Sequence, residues 1–395
     1  MENRIVINNA IRILPDNVLK HGFVVCEAGR ILQTGEGLFQ PLASDVVIDA
    51  KGKYLSPGFI DMHTHGAGGH DFMDRTTEAW LGAAETHARY GTTSLVPTTL
   101  TSTLEELLYT FELYNLVKDK NTKGASLLGL HLEGPYFAYN QRGAQDPAYL
   151  RNPVPEEYET ILAASDNIIR WSMAPELPGA LTLGKLLRSK GILAAIGHSD
   201  ATYEEVADAF SAGFTHITHL YSCMSSITRR NAFRYAGVLE AAYLIDQMTV
   251  EVIADGIHVP KPLLQYVIKF KGYDRIALCT DSMRAAGMPD GEYMLGSLEN
   301  GQPVIVEDGV AKLPDRSAFA GSVATANRLV RTMIDLTDLS VSEAVGMITQ
   351  NPARILGLTS KGVLVPGMDA DLVIFDDRIS VNTTIVNGKI VYSRN

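Results

Sequence analysis

The sequence predicts an α/β fold, a (β/α)8 barrel of the TIM type with a small β-sandwich domain formed by both termini. Two patterns predict this fold. In the middle of the chain, apolar strand-like runs alternate with helical patterns, as in parallel sheets whose strands are joined by helices. The two ends contain only short strand-like runs separated by turn residues. A chain of 395 residues is long enough for such a barrel with insertions and one small domain.

Composition and charge narrow the class of protein. Hydrophobic residues make up 46% of the chain and the net charge is −11, with no basic run, so we expect neither nucleic acid nor an anionic membrane surface as a partner. No leader segment is recognisable, and no run approaches the ~18 apolar residues of a membrane span. The three cysteines are odd in number and lack a C-x-x-C spacing, which predicts a reducing, cytoplasmic location.

The ends of the chain, residues 1–55 and 358–395, are the predicted β-sandwich domain. Short apolar runs occupy 4–7, 22–26 and 46–49 in the first piece and 362–367, 370–375 and 383–392 in the second. Within the last run, Asn387-Gly388 is a strong signal for a tight hairpin turn. Either piece alone would be small and open-edged, so we expect the two to pair with each other.

The middle of the chain, residues 56–357, is the predicted catalytic barrel. Its eight strand candidates lie at 58–63, 93–97, 127–133, 168–175, 192–198, 216–220, 250–255 and 276–281. Helical patterns fall between them at 76–90, 104–118, 180–190 and 203–212. The segment 322–357 reads as helices that return to the terminal domain.

Most of these strands end on a group that can bind a metal or transfer a proton. His63 and His65 are two residues apart, so on an extended strand they point the same way. Glu133 ends the third strand directly before a Gly-Pro turn. The later strands end at His198, His219, Asp255-Gly-Ile-His258 and Asp281. Because the carboxyl ends of barrel strands hold the active site, these groups should converge on a divalent metal. Imidazole with carboxylate suits zinc, with iron, nickel and manganese as alternatives.

The remaining histidines are interpreted as structural. His216 is out of phase with His219 on its strand, and His131 lies inside the barrel wall. His21, His70 and His87 are expected in loops or on helix surfaces. Asp255 is expected to form hydrogen bonds at a strand end. The fourth strand ends without the lysine that many barrel hydrolases use to bridge two metals, so Glu133 is the candidate bridge.

Several motifs resemble those of the N-acetylglucosamine-6-phosphate deacetylase family of the amidohydrolase superfamily, along nearly the whole chain. They are His131-Leu-Glu-Gly-Pro-Tyr136, Gly197-His-Ser199, Thr218-His-Leu-Tyr-Ser-Cys-Met224, Ala254-Asp-Gly-Ile-His258, Thr280-Asp-Ser282, Phe319-Ala-Gly-Ser322 and Asn351-Pro-Ala-Arg354. The resemblance implies metal-dependent hydrolysis of the N-acetyl group of an amino-sugar phosphate.

The resemblance also implies roles for individual residues. Glu133, His198 and His219 would hold the principal metal, and His63 and His65 would complete a second site shared through Glu133. Asp281 would be the general base and acid, and His258 would contact the substrate and polarise the acetyl carbonyl. The positions that match substrate contacts are Ala144, Gln145, Ser222, Cys223, Phe319, Ala320 and Gly321.

Two departures from the family pattern leave the substrate open. Ser222-Cys223 stands where the family usually has Asn-Ala, and a longer loop, residues 228–237, replaces its Arg-Glu-Pro-Gly run. In the family that arginine reaches the substrate phosphate of the neighbouring subunit, which implies a homodimer. Either Arg230 or Arg234 could take this place. The alternatives are a deacetylase of N-acetylgalactosamine 6-phosphate or of an unphosphorylated sugar, another amidohydrolase acting on a cyclic amide, and a non-catalytic barrel.

Overall fold

The computed structural model describes residues 4–394, and its first five strands form one part of an eight-stranded terminal sheet. Strand β1 is the centre of this half. It pairs antiparallel with β2 and parallel with both β4 and β5, which lie along its first and second parts. The five strands are β1 (Ile5–Ile13), β2 (Val18–Glu27), β3 (Arg30–Glu36), β4 (Val46–Asp49) and β5 (Tyr54–Pro57).

The following segment supplies the barrel. Its strands β6, β9, β11, β12, β13, β14, β17 and β18 are parallel neighbours in that order, so the eight predicted strands are confirmed. The elements are β6 (Phe59–Thr64), β7 (Gly66–Ala67), β8 (His70–Asp71), α1 (Thr77–Arg89), β9 (Thr92–Thr99), α2 (Leu104–Val117), β10 (Ser126–Leu127), β11 (Leu130–Glu133), α3 (Pro155–Ala164), β12 (Ile168–Met173), α4 (Ala180–Ser189), β13 (Leu193–Ile196), α5 (Tyr203–Ala212), β14 (Phe214–Ile217), β15 (Thr228–Arg230), β16 (Phe233–Tyr235), α6 (Val238–Leu244), β17 (Thr249–Val252), α7 (Lys261–Lys271) and β18 (Ile276–Leu278).

The last part of the chain adds a small antiparallel sheet, three helices and three strands. The small sheet follows β18, and the helices lead back to the terminal sheet as predicted. The elements are β19 (Gly291–Leu295), β20 (Gln302–Glu307), β21 (Val310–Lys312), α8 (Ala326–Leu336), α9 (Val341–Gly346), α10 (Gln350–Ile355), β22 (Leu372–Phe375), β23 (Val381–Val386) and β24 (Lys389–Ser393). No helix among residues 4–394 combines the length and apolar character needed to cross a membrane.

Both ends of the chain share one eight-stranded sheet, as the sequence predicts. Strand β22 pairs with β5 on one side and β23 on the other, and β4 pairs with β1. The side chains of β22 alternate: Leu372 and Ile374 join the apolar cluster of the terminal sheet, whereas Val373 and Phe375 join the barrel cluster. Strand β22 therefore fixes the sheet against the barrel. Asn387 and Gly388 both have positive φ (48° and 74°), the geometry of a tight hairpin turn.

The barrel closes between β18 and β6 through bonds of two kinds. At the carboxyl end, Asp281 N donates to His63 O at 2.8 Å, directly between the two strand ends. Elsewhere along the two strands, backbone carbonyls of the segment between α9 and α10 accept the hydrogen bonds that a neighbouring strand would otherwise accept. There the carbonyl of Met347 accepts from Leu278 N, and that of Ile348 accepts from Ile60 N, both at 2.8 Å. The backbones of the first and last strands are therefore hydrogen-bonded to each other at their carboxyl ends.

One histidine does not lie where the sequence predicts. His87 was expected at a surface, but it is 3% exposed on the buried face of α1, and its Nε2 is 2.9 Å from Thr64 Oγ1. Burial lowers the pKa of His87 to about 4, so the ring is neutral in the folded protein at neutral pH. Of the other two, His21 is exposed in β2 and His70 is partly exposed in β8.

We predict that His87 makes the folded state less stable in acid. Its pKa is about 4 when folded and near the ordinary 6.5 when unfolded. Between these values the unfolded chain binds the extra proton, so stability is lost as the pH falls from 6.5 to 4. His87→Gln should reduce this loss by up to roughly 3 kcal/mol, measured by urea unfolding across that range.

The control is His21→Gln at an exposed position, which should leave the pH dependence unchanged. An unaltered pH dependence in His87→Gln would contradict the assignment.

Candidate active site and metal centre

The five predicted metal ligands and the predicted base, Asp281, all lie at the carboxyl ends of barrel strands. His63 is in β6 and His65 follows it, Glu133 ends β11, and His198, His219 and Asp281 lie two or three residues beyond their strands. All six are at least nine-tenths buried. His198, His219 and Asp281 have positive φ (50°, 29° and 46°), which non-glycine residues seldom adopt and which is common at functional sites.

The Glu133 carboxylate is the centre of the cluster. Its Oε1 is 3.1 Å from His219 Nε2 and 3.4 Å from Nε2 of both His198 and His63, and its Oε2 is 3.3 Å from His65 Nε2. Glu133, His198 and His219 could hold one metal ion, and His63, His65 and Glu133 a second. The two groups share Glu133, which is the arrangement implied by the sequence resemblance.

The histidine nitrogens are oriented as a metal centre requires. His198 Nδ1 is 2.8 Å from the carbonyl oxygen of Gln141, which can only accept, so a neutral His198 carries its lone pair on Nε2. His63 Nδ1 donates to Glu251 Oε1 at 2.7 Å, which leaves its Nε2 lone pair aimed at Glu133 and Asp281. His63 Nε2 is buried without a hydrogen-bond partner. A divalent cation fits this donor set because it would satisfy these lone pairs together.

The charges of the cluster also favour a cation. Burial opposes ionisation of Glu133, yet His63, His198 and His219 hold the pKa of Glu133 well below its ordinary range. Burial lowers the pKa of His63, but Asp281, Glu251 and Glu133 outweigh it and raise that pKa to about 9. The carboxylates therefore stabilise positive charge where the nitrogens converge.

Asp281 lies beside the candidate second metal position. Its Oδ1 is 3.1 Å from His65 Nε2 and 3.3 Å from His63 Nε2. Burial opposes ionisation, but His63 and His65 lower the pKa of Asp281, so it is a carboxylate at neutral pH. Thr280 holds the backbone next to Asp281 in place, because Thr280 Oγ1 donates to the buried Asp61 Oδ2 at 2.6 Å.

A cavity of about 300 Å³ opens over the cluster. Most predicted substrate residues line it: Ala144, Gln145, Ser222, Cys223, His258, Phe319 and Gly321. Sequence reasoning missed four further lining residues, Leu100, Tyr221, Leu295 and Ala318. Ala320 does not line the cavity, because it is fully buried against Met283 and Val304 behind the wall.

Two of the lining side chains are held by specific hydrogen bonds. His258 Nδ1 donates to Asp255 Oδ2 at 2.8 Å, and the His258 ring contacts that of Phe319 at 4.6 Å. Asp255 therefore bonds at a strand end rather than facing the cluster, as expected. Gln145 Nε2 donates to Glu133 Oε2 at 2.8 Å, while Gln145 Oε1 accepts from Thr101 N and Oγ1. Gln145 thus contacts a candidate ligand as well as the cavity.

Neither candidate arginine lies in the cavity. Arg230 and Arg234 are exposed on the β15–β16 hairpin, and Arg230 stacks over the Tyr235 ring at 5.5 Å. Phe233, 72% exposed, lies at the tip of this hairpin. Within residues 4–394, the side chains that line the cavity include no lysine or arginine.

Sequence reasoning also missed the buried charges beneath the cluster. Glu251 and Arg170 are fully buried in β17 and β12, and Glu251 contacts His63 directly. A signal was present, because each is a charged residue inside an otherwise apolar strand, where charges occur almost only when paired. His131 lies inside the barrel, as predicted, with a hydrogen bond to Ser172, and His216, predicted only to be out of phase with His219, is buried with a hydrogen bond to Thr249.

Comparisons with known proteins agree with this geometry. A sequence family described as "Amidohydrolase family" matches residues 54–391. An N-acetylglucosamine-6-phosphate deacetylase from Lysinibacillus sphaericus is 37% identical over 87% of both chains. An N-acetylgalactosamine-6-phosphate deacetylase from Escherichia coli O157:H7 is 33% identical over 87% of this chain and 89% of its own. A solved N-acetyl-D-glucosamine-6-phosphate deacetylase variant from Mycobacterium smegmatis, in complex with N-acetyl-D-glucosamine-6-phosphate, has a TM-score of 0.90 at 31% identity, over 99% of this chain and 100% of its own.

Proposed function

The chain belongs to the amidohydrolase family, and from that premise we propose that it hydrolyses the N-acetyl group of N-acetylglucosamine 6-phosphate, giving glucosamine 6-phosphate and acetate. One observation carries the proposal. Four histidines converge on Glu133 at 3.1–3.4 Å below a cavity of sugar size, with the Asp281 carboxylate beside them. Metal-dependent hydrolysis of an amide requires a metal centre and a base that is held beside it.

Glu133, His198 and His219 would hold the principal ion, and His63, His65 and Glu133 a second. A divalent metal there supplies Lewis-acid polarisation of the acetyl carbonyl and of a water molecule. Zinc suits imidazole and carboxylate ligands best, with iron, nickel and manganese as alternatives.

Two side chains would move and hold protons during the reaction. Asp281, ionised at neutral pH, would accept a proton from the attacking water and return it to the departing amine. His258 would contact the acetyl carbonyl. Because Asp255 holds the proton on Nδ1, His258 can donate to that oxygen only in its doubly protonated form. Ser222, Cys223, Phe319 and Gly321, which line the cavity, would bind the sugar.

The substrate phosphate needs cations that the cavity wall lacks. We assign them to the β15–β16 hairpin of a second copy of this chain, so the enzyme would act as a homodimer. The hairpin is exposed, carries Arg229, Arg230 and Arg234, and ends in the exposed apolar side chain of Phe233. Arginine binds phosphate by paired N–H donors and is suited to this role.

A second candidate substrate is the galacto epimer. The Escherichia coli relative named for N-acetylgalactosamine 6-phosphate aligns over 87% of this chain, at an identity close to that of the gluco-named relatives. Ser222 and Cys223, where the family usually has Asn-Ala, are placed in the wall where a sugar would bind. An unphosphorylated sugar and a cyclic amide stay as alternatives.

Two further expectations remain proposals. The absence of disulfides among the three cysteines is consistent with a cytoplasmic location. Residues 56–357 would form the catalytic domain and residues 1–55 with 358–395 the terminal domain, a division close to the boundary between β5 and β6.

We predict metal-dependent acetate release from N-acetylglucosamine 6-phosphate and little release from unphosphorylated N-acetylglucosamine. The chelated protein should be inactive, and added zinc should restore activity. N-acetylgalactosamine 6-phosphate, assayed in parallel, decides between the epimers. Failure to release acetate from all three sugars would reject the proposed function and leave the cyclic-amide alternative.

For Asp281→Asn we predict a fall in kcat of roughly 10²–10⁴, because the amide cannot accept the proton. Metal content, measured by mass spectrometry, should stay at the wild-type level, since the five other groups remain. The matched control is Asp376→Asn, a change at an aspartate of the terminal sheet, which should leave kcat unchanged. Normal turnover by Asp281→Asn would remove it from the mechanism.

Arg230→Ala and Arg234→Ala, made separately, should differ in their effect. The variant that loses the phosphate contact should show a KM raised about tenfold or more for the phosphorylated sugar, because a charge-assisted pair is lost. The other variant should behave as wild type. Equal wild-type kinetics in both would exclude the hairpin from phosphate binding.

A further inference from the structure

A buried ion pair lies directly beneath the candidate metal centre. Arg170 Nη1 donates to Glu251 Oε2 at 2.5 Å, and both side chains are inaccessible to solvent. Burying two charges is costly, and apolar residues of similar volume often stabilise a protein as well or better. The pair therefore calls for an explanation beyond stability.

Glu251 contacts both halves of the metal centre. Its Oε1 accepts from His63 Nδ1 at 2.7 Å and from the backbone N of His219 at 3.1 Å. His63 belongs to one candidate metal position and His219 to the other. One carboxylate oxygen thus fixes the tautomer of the first ligand and the backbone of the second.

Arg170 also contacts both strands that carry these ligands. Its Nη1 donates to the carbonyl of Met62 at 3.1 Å, and its Nη2 donates to Thr218 Oγ1 at 3.0 Å. Met62 directly precedes His63, and Thr218 directly precedes His219. Arg170 therefore fixes Glu251 while joining the two strand ends that carry these ligands.

We propose that Glu251, held by Arg170, is a positioning residue that sets the orientation of His63 and couples the two metal positions through His219. Without Glu251, His63 Nδ1 has no acceptor, and the ring is free to rotate or to change tautomer. The metal position formed by His63, His65 and Glu133 should then weaken most. This inference rests on the metal centre of the proposed function.

The test measures metal binding rather than activity. We expect Glu251→Leu, which removes the acceptor of His63 Nδ1, to bind zinc 10–100-fold more weakly than wild type at the His63 position, measured by equilibrium dialysis and metal analysis. With cobalt(II) in place of zinc, the visible absorption spectrum should change, because it reports ligand geometry. The matched control is Asp74→Asn, which removes a carboxylate from another buried arginine pair, Asp74–Arg284, that touches no candidate ligand. It should bind metal as wild type does.

A double variant separates positioning from folding. Glu251→Leu alone leaves the Arg170 charge buried without a carboxylate partner, which could unfold the chain, whereas Arg170→Met with Glu251→Leu removes both charges. We expect this double variant to fold with a thermal midpoint near that of wild type and still to bind zinc 10–100-fold more weakly. Wild-type affinity in the double variant would overturn the proposal. Absence of zinc binding by the wild type would instead overturn the metal centre itself.

Discussion

Three backbone hydrogen bonds join the first and last strands of the barrel where they meet directly: Asp281 N donates to His63 O at 2.8 Å, and His65 N and Gly66 N donate to Ser282 O at 2.8 and 3.0 Å. The same contacts place the candidate base beside the two histidines of the first strand. Elsewhere along this seam, Met347 and Ile348 supply the carbonyls that a strand would have supplied. The contacts that close the barrel at its carboxyl end are therefore also the contacts that assemble the candidate active site.

Charge is balanced locally in a protein that is acidic as a whole. The buried carboxylates at the barrel end each face imidazole, guanidinium or hydroxyl donors, and the nitrogens that remain unpaired converge on one place. Among the described residues, those that line the cavity above include no lysine or arginine. The proposed binding of an anionic substrate therefore rests on the proposal that the exposed hairpin of a second copy of the chain supplies the arginines.

The sequence predicted the strands and the residues at their ends well, because both follow from local pattern. Alternation and turn residues define each strand, and parallel topology then brings all the ends to one edge. The prediction that His87 lies in a loop or on a helix surface was wrong. It followed the usual exposure of histidine and not the place of His87 on the helix. His87 lies three, four and seven residues after Ala84, Ala83 and Trp80, which places it on the buried face of α1.

Features that depend on contacts between side chains of distant strands could not be predicted from local sequence patterns. Glu251 and Arg170 are recognisable only as a pair, and 81 residues separate them. Ala320 shares a motif with Phe319 and Gly321, but on extended backbone it faces the opposite way, into the core. The sequence could not decide between Arg230 and Arg234 because both lie exposed on the same hairpin.

The terminal sheet has a consequence for how the protein is made on the ribosome. Tyr54 pairs with Phe375, so β5, the strand that leads into the barrel, gains its second neighbour only after the whole barrel has been synthesised. Until then β5 presents an unpaired edge, the kind of surface that chaperones shield and that promotes aggregation. Such long-range pairing is slow to form, so we expect nascent chains stalled before β22 to be captured by chaperones rather than to dock the sheet.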